Sequence, residues 1–203
     1  MRIIALDTST ETCSVALFNR GKINCLFEYC YRNHSQRILP LIQQILIEGK
    51  ISLNKLDAVA YSRGPGNFTG LRIGMGVAKG IGIGANLAII GVSSLAIMAE
   101  SSWRIRGTDR VLVAIQAKKK LFYWAEYRRN NITCWHGKET ETVLSTMDIQ
   151  NRISQLTGSW GIAGTGWYQY INFNRKKLTL IKSINTPIAR DIFTLAMLVK
   201  INR

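Results

Sequence analysis

Three side chains near the start of the sequence have the chemistry to handle phosphate. Asp7, Thr8 and Ser9 close the run Arg2 to Asp7, whose apolar residues read as a strand. A carboxylate beside hydroxyls at a strand end can orient a metal-bound phosphate in phosphoryl transfer. The same residues also stabilise a polar turn through their own hydrogen bonds, and taken alone they favour that turn. A second phosphate-like feature is Arg63-Gly64-Pro65-Gly66-Asn67-Phe68-Thr69-Gly70. A glycine-rich turn ahead of a helix can hold phosphate on free amides. Here the pattern is weak. Gly64, Gly66 and Gly70 give G-x-G-x-x-x-G, one residue longer than the dinucleotide fingerprint, and there is no G-x-x-x-x-G-K-[ST]. Asp7, Thr8, Ser9, Gly64 and Gly66 together define a vestigial nucleotide cleft at most.

Other chemistries find fewer residues. The two histidines, His34 and His136, form no H-x-x-x-H pair, so no zinc or iron site is expected. His34 reads as a capping-region or surface residue. Cys13, Cys25, Cys30 and Cys134 contain no C-x-x-C, which points to reduced thiols acting as small buried hydrophobes. No Ser/His/Asp constellation supports a peptidase. No catalytic residue, metal or cofactor is therefore assigned.

The elements that position these residues are legible. Leu56 to Ser62 is an apolar strand ahead of the glycine turn. Thr69 can cap the helix that follows, which runs to Gly84. That helix carries Gly74, Gly76, Gly80, Gly82 and Gly84, each costing about 1 kcal/mol against alanine. Gly76, Gly80 and Gly84 are four apart and share one face. Spacing alone favours a helix pressed flat on its own sheet over one packed on a second protein. Before it, His34 to Leu46 has Ile38, Leu41, Ile42 and Ile45 at helical spacing, with Leu39 and Leu46 on a further face. A helix apolar on two faces is deeply buried or half in an interface. Pro40 should bend it or restrict its regular part.

Taken in order, the first half reads β-β-β-α-β-α-β-α. Cys13 to Asn19 and Lys22 to Cys30 complete a meander, Leu87 to Gly91 is a short strand, and a helix runs from Ser93 to about Arg104. Arg110 to Gln116 then echoes the opening strand, with Gln116 at the position of Asp7. Leu121 to Tyr127, a turn at Asn130-Asn131 and Ile132 to His136 continue a second meander. An internal duplication follows, one half lacking the paired carboxylate. Met147 to Leu156 is a helix, Trp160 to Ala163 and Leu178 to Lys182 are strands, and Ile188 to Ile201 is the last helix. No repeat of the glycine loop and its helix is expected there. The division falls at 1–106 and 107–203.

With 203 residues and 47% hydrophobic content the chain can bury a real core. Its net charge of +15 favours anionic partners, nucleic acid first. The basic residues are scattered, as at Arg104, Arg106, Arg110, Lys118 to Lys120, Arg128, Arg129 and Arg175 to Lys177, and the chain is rich in Ile, Lys and Asn together. Drift in base composition explains that pattern as well as binding does. Gly80 to Ala99 has twenty residues without a charge, long enough for a membrane span. Its glycines, Asn86 and serines instead fit a helix end, a strand and a helix start. Met1 leads straight into a strand, so no signal peptide is expected and the cytoplasm is the expected compartment.

Two β-β-β-α units in tandem resemble the actin-like, sugar-kinase and Hsp70 ATPase (ribonuclease-H-like) α/β architecture, here with a reduced second lobe. The motifs narrow the resemblance. Ile4-Ala5-Leu6-Asp7-Thr8-Ser9-Thr10-Glu11 with Cys13 to Leu17, His34-Ser35-Gln36-Arg37-Ile38-Leu39-Pro40, Arg63 to Gly74, and Gly164-Thr165-Gly166-Trp167 are similar to the TsaB (YeaZ) family, close to its enterobacterial members. The resemblance covers nearly the whole chain, and the central motif is highly specific.

That resemblance implies a role in forming threonylcarbamoyladenosine at position 37 of tRNAs that read codons starting with A. In such a pathway a TsaC-type enzyme makes threonylcarbamoyl-adenylate, and a metal-binding TsaD-type paralogue of this fold transfers the group to tRNA. A TsaB-type protein is its required partner without accepted catalytic residues, and a TsaE-type ATPase joins them. The family pairs through the two helices singled out above, as a helical bundle, which reverses the preference drawn from glycine spacing. The implied interface is Ser35, Arg37, Ile38, Leu41, Ile42 and Ile45 on the first helix. On the second it is Leu71, Arg72, Gly74, Met75, Gly76, Ala78 and Gly80. A homodimer is the alternative when the chain is alone, and tRNA is met through the complex. Family members usually continue past the last helix to a Tyr-Leu-Arg motif, which this sequence, ending at Arg203, does not contain. The competing reading is a stand-alone nucleotide-binding ATPase or phosphotransferase using Asp7 and the Gly64 loop.

Overall fold

The computed structural model describes residues 1–130, 134–168, 177–181 and 183–201, the last three by backbone alone. Parts of three expected features, Asn131 to Thr133, Arg175 with Lys176, and Lys182, lie outside those residues.

The chain opens with β1 (Arg2–Asp7), β2 (Thr12–Asn19) and β3 (Lys22–Tyr29). Residues Ile3 to Leu6 of β1 are fully buried, the continuous apolar run of a central strand covered on both faces. Asn19 pairs with Lys22 across a two-residue turn in which Arg20 and Gly21 both have positive φ, the geometry that suits hairpin twist. Next come α1 (His34–Glu48), β4 (Ala58–Gly64), α2 (Phe68–Gly84), β5 (Ala88–Ser93) and α3 (Ser94–Arg106). The uncharged stretch from Gly80 to Ala99 is thus a helix end, a strand and a helix start. No helix among the described residues is long and apolar enough to cross a membrane. α1 runs through Pro40 without interruption.

The first sheet has the order β3-β2-β1-β4-β5, with the first three strands antiparallel and β4 and β5 parallel to β1. One face of it is packed by Ile38, Leu41, Ile42 and Ile45 of α1, which join Leu6, Val15, Leu17 and Val59 in one core.

The second sheet is built from β6 (Arg110–Lys118), β7 (Leu121–Asn130), β8 (Cys134–His136), β10 (Trp160–Ala163) and β11 (Leu178–Leu180). Its order, β8-β7-β6-β10-β11, repeats the first sheet strand for strand, with the same parallel and antiparallel pairings. The expected duplication is therefore present in the topology. Between β8 and β10 lie β9 (Thr142–Ser145), which pairs with β7, and α4 (Thr146–Gln155). A reciprocal capping box, Ser145 with Asp148, starts α4. Trp124, Trp160 and Phe122 fill this sheet's core. Glu100 and Arg129 pair at 2.6 Å with side chains 8% and 3% exposed, and Trp135 Nε1 also donates to Glu100.

Residues Met1–Ile97 with the stretch from Pro187 form one compact unit, and Met98–Thr186 the other. The units cut the chain differently from a division at 106/107. The final helix, α5 (Ile192–Ile201), packs on β1, β4 and β5. It starts later than Ile188, because a 3-10 turn at Ala189–Asp191 comes first. In that turn the amide of Ala189 donates to Ser14 Oγ at 2.9 Å.

Candidate functional site: a closed strand-end loop and two exposed helix faces

The residues named for a nucleotide cleft do come together, and they are shut. Asp7, Thr8 and Ser9 are 1%, 2% and 0% exposed. Ser9 Oγ donates to Asp7 Oδ2 at 2.9 Å and the Ser9 amide to Oδ1 at 3.3 Å. Burial outweighs these bonds and one from Ser62, pushing the Asp7 carboxyl up to about 6. The glycine turn lies directly on this strand end. Gly64 has φ +103°, a conformation that glycine adopts freely. The Asn67 amide donates to the Ser9 carbonyl at 2.7 Å, and Thr8 Oγ1 donates to the Gly70 carbonyl at 2.7 Å. The cap of α2 is Asn67 rather than Thr69: Asn67 Oδ1 accepts from the amides of Thr69 and Gly70 at 3.1 and 3.2 Å. Both residue types cap well, and the extended backbone at Asn67 decides between them. Two amides at the start of α2 are thus taken by the protein's own side chain.

The second unit holds a counterpart that the sequence pattern did not lead us to expect. After β10, Gly164 and Gly166 press on the Ala114 carbonyl of β6, as Gly66 and Gly70 press on Ser9 and Thr8. Gln116 stands exposed near the end of that strand, and its amide meets Thr165 Oγ1 at 3.3 Å. The Gly164-Thr165-Gly166 spacing is the signal that could have found it. Among the described residues only a single 3-10 turn, Thr165–Trp167, follows it.

α2 has two glycine faces. Gly70, Gly74, Ala78 and Gly82 are buried against their own sheet. A Cβ on Gly74 would lie 2.5 Å from Thr8 Oγ1, and one on Gly82 would overlap Ile89 of β5. On the other side, Gly76, Gly80 and Gly84 would meet nothing within 4 Å. The helix is thus pressed on its own sheet through one glycine face, while the face of Gly76, Gly80 and Gly84 is open. Gly74 and Ala78, expected at a partner interface, instead bring the helix backbone onto the sheet. Ile38, Leu41, Ile42 and Ile45 are likewise corrected: all are 4% exposed or less, inside the core. Leu71 and Met75 are half-buried, while Ser35, Arg37, Arg72, Gly76 and Gly80 are exposed.

Four large apolar residues outside the expected interface complete the exposed faces. Leu39 and Ile47 on α1 are 56% and 68% exposed, and Phe68 and Ile83 on α2 are 68% and 78%. Leu39 and Ile47 are eight apart, two helical repeats on one face, so the spacing carries the signal. The Arg72 guanidinium lies 3.8 Å from the centre of the Phe68 ring. Arg37 makes a two-pronged pair with Glu28, at 2.7 and 3.0 Å, that ties α1 to β3. α1 and α2 are in contact, so their outer faces are neighbours.

His34 lies in the capping region, as the first residue of α1 next to the N-cap Asn33, but it is buried rather than on the surface. Cys13 and Cys30 are buried, and burial raises both thiols, but Cys134 is exposed. No cluster of three or more His, Cys, Asp or Glu side chains that could hold a metal occurs among the described residues.

Two β-β-β-α-β sheets of identical strand order, each with a glycine turn closed on its first strand, define an actin-like α/β protein of the ribonuclease-H-like class. The sequence profile described as "TsaD: tRNA N6-adenosine threonylcarbamoyltransferase" matches residues 28–164. The tRNA threonylcarbamoyladenosine biosynthesis protein TsaB of Escherichia coli is 47% identical over 97% of this chain and 86% of that protein. The TsaB of Buchnera aphidicola from Schizaphis graminum is 39% identical over 94% of this chain and 90% of its own length. The solved structure of YeaZ from Pseudomonas aeruginosa superposes with a TM-score of 0.86 at 34% identity, covering 99% of this chain and 92% of that one. The chain belongs to the TsaB (YeaZ) family.

Proposed function

We propose that this protein is a non-catalytic partner subunit in the formation of N6-threonylcarbamoyladenosine at position 37 of tRNAs reading codons that start with A. Its partner is a TsaD-type transferase, which docks on the outer faces of α1 and α2. The observation that carries this reading is the open glycine face of α2. Gly76, Gly80 and Gly84 leave a stretch of this helix without side chains, and Leu39 and Ile47 on α1 and Phe68 and Ile83 on α2 are exposed apolar residues. Small residues let two helix backbones approach closely, and the surrounding apolar side chains supply burial area. A TsaE-type ATPase joins the assembly in the cytoplasm, and tRNA is held by the complex. Alone, the same face serves for self-association.

The test is to mix the purified chain with the TsaD-type protein of its own organism and to measure the mass by light scattering. A one-to-one complex, absent with Gly76→Leu, is the expected result. Full complex formation by Gly76→Leu and by Ile83→Asp would refute this interface. No complex with the parent chain at micromolar concentration would refute the subunit role.

A further inference from the structure

The exposed aromatic rings of the first unit gather along one sheet edge. β3 is the outer strand. Phe27 and Tyr29 project from one face of it, two residues apart, and Tyr31 follows. Phe27 meets Tyr29 edge-on at 5.5 Å between ring centres, and Tyr29 stacks on Tyr31 at 6.2 Å. Tyr29 and Tyr31 are 66% and 71% exposed, so the row presents open ring surface to solvent. Rings grouped this way on a surface mark a contact site more than scattered apolar residues do.

Tyr31 also belongs to the wall of an adjoining cavity of about 440 Å3. Arg32, His34 and Thr69 line that cavity, and α1 and α2 both begin there. Helix starts carry partial positive charge. His34 is 6% exposed and its Nε2 has no hydrogen-bond partner among the described residues. Glu11 is the one carboxylate among the described residues of the wall.

The row of rings suits flat apolar partners, and the cavity suits a negative charge. A ligand that alternates flat ring faces with anionic groups is a single-stranded nucleic acid. A duplex hides its base faces, and an acidic peptide leaves the rings unused. We propose that β3 and this cavity bind an unpaired segment of RNA, with bases stacked on Tyr29 and Tyr31 and a phosphate entering at Arg32 and His34. The net charge of +15 favours the same partner. This inference rests on the reading that the chain works in a tRNA-modifying complex, since tRNA carries unpaired loop nucleotides.

The experiment is fluorescence anisotropy of the full chain with a labelled single-stranded RNA heptamer and with an RNA duplex of equal charge. Loss of one stacked base weakens binding about five- to 150-fold. Tyr29→Ala with Tyr31→Ala is expected to lose at least that factor for the single strand and nothing for the duplex. Arg32→Gln is expected to flatten the salt dependence by about one phosphate contact. Equal binding of single strand by parent and double variant would overturn the site, as would equal binding of single strand and duplex by the parent. Circular dichroism melts confirm that the exposed substitutions leave the fold intact. The variants are also mixed with the TsaD-type protein. An intact complex without RNA binding by the parent sinks this inference alone, and RNA binding without a complex sinks the subunit reading alone.

Discussion

The two glycine faces of α2 should respond to the same mutation with opposite sign. Gly76→Ala adds a methyl group where nothing lies within 4 Å. The helix then gains the difference in propensity, about 0.8–1 kcal/mol. Gly74→Ala gains the same amount but places its Cβ 2.5 Å from Thr8 Oγ1, where ordinary contacts begin near 3.4 Å. Thr8 must move, and its 2.7 Å bond to the Gly70 carbonyl goes with it. Overpacking costs about 1–3 kcal/mol and the lost bond about 0.5–1.5 kcal/mol. The net expectation for Gly74→Ala is a loss of about 1–3 kcal/mol. In a chain of this size each kcal/mol moves Tm by about 2–4 °C. Gly76→Ala should therefore melt about 2–4 °C above the parent and Gly74→Ala several degrees below it. Urea midpoints at fixed pH provide the second measurement. Equal destabilisation by both variants would falsify the assignment of faces, and with it the argument that Gly76 is free to meet a partner.

Two further outcomes follow from the strand end. Asp7 is raised from 3.8 to about 6 by burial, so the folded state holds a proton that the unfolded chain releases. Its contribution is fully present below about pH 4 and is lost as pH rises through 6, up to about 3 kcal/mol. Asp7→Asn should remove this trend, so the stability of the variant relative to the parent should increase between about pH 4 and 7 in urea titrations; a constant difference would contradict the raised value. At the start of α2, Asn67→Ala should cost about 0.5–2 kcal/mol for the lost cap, whereas Thr69→Ala should leave the urea midpoint nearly unchanged, and the reverse ranking would restore Thr69 as the cap.

Much of the architecture can be read from local pattern. The meander of β1 to β3 follows from short turns between apolar runs, and its repeat in β6 and β7 follows from the echo of Ala5-Leu6-Asp7 in Ala114-Ile115-Gln116. Faces are harder to read. Ile38 and Ile45 sit on the buried side of α1 and Leu39 and Ile47 on the open side, yet all four are apolar. Periodicity finds such a helix without saying which stripe meets the sheet. Glycine is more ambiguous still, because it has no side chain to sort: Gly74 and Gly76 differ only in what lies opposite. The closure of the Gly64 turn on Ser9 joins parts of the chain far apart in sequence, which no local signal reports. β9 escapes a sequence reading because its four residues are too short a run for alternation to register.

The composition of α2 also bears on the order in which the molecule assembles. Six of its seventeen residues are glycine, a handicap of several kcal/mol beside an alanine helix. A segment this poor in intrinsic helicity cannot form ahead of its surroundings. It has to wait for β1, β4 and β5 to present the surface on which Gly70, Gly74, Ala78 and Gly82 settle. The open face of Gly76, Gly80 and Gly84 is thus among the last parts of the first unit to take shape, and an incompletely folded chain cannot display it. Any protein that recognised this face, as the proposed partner does, would thereby select chains whose sheet has already formed.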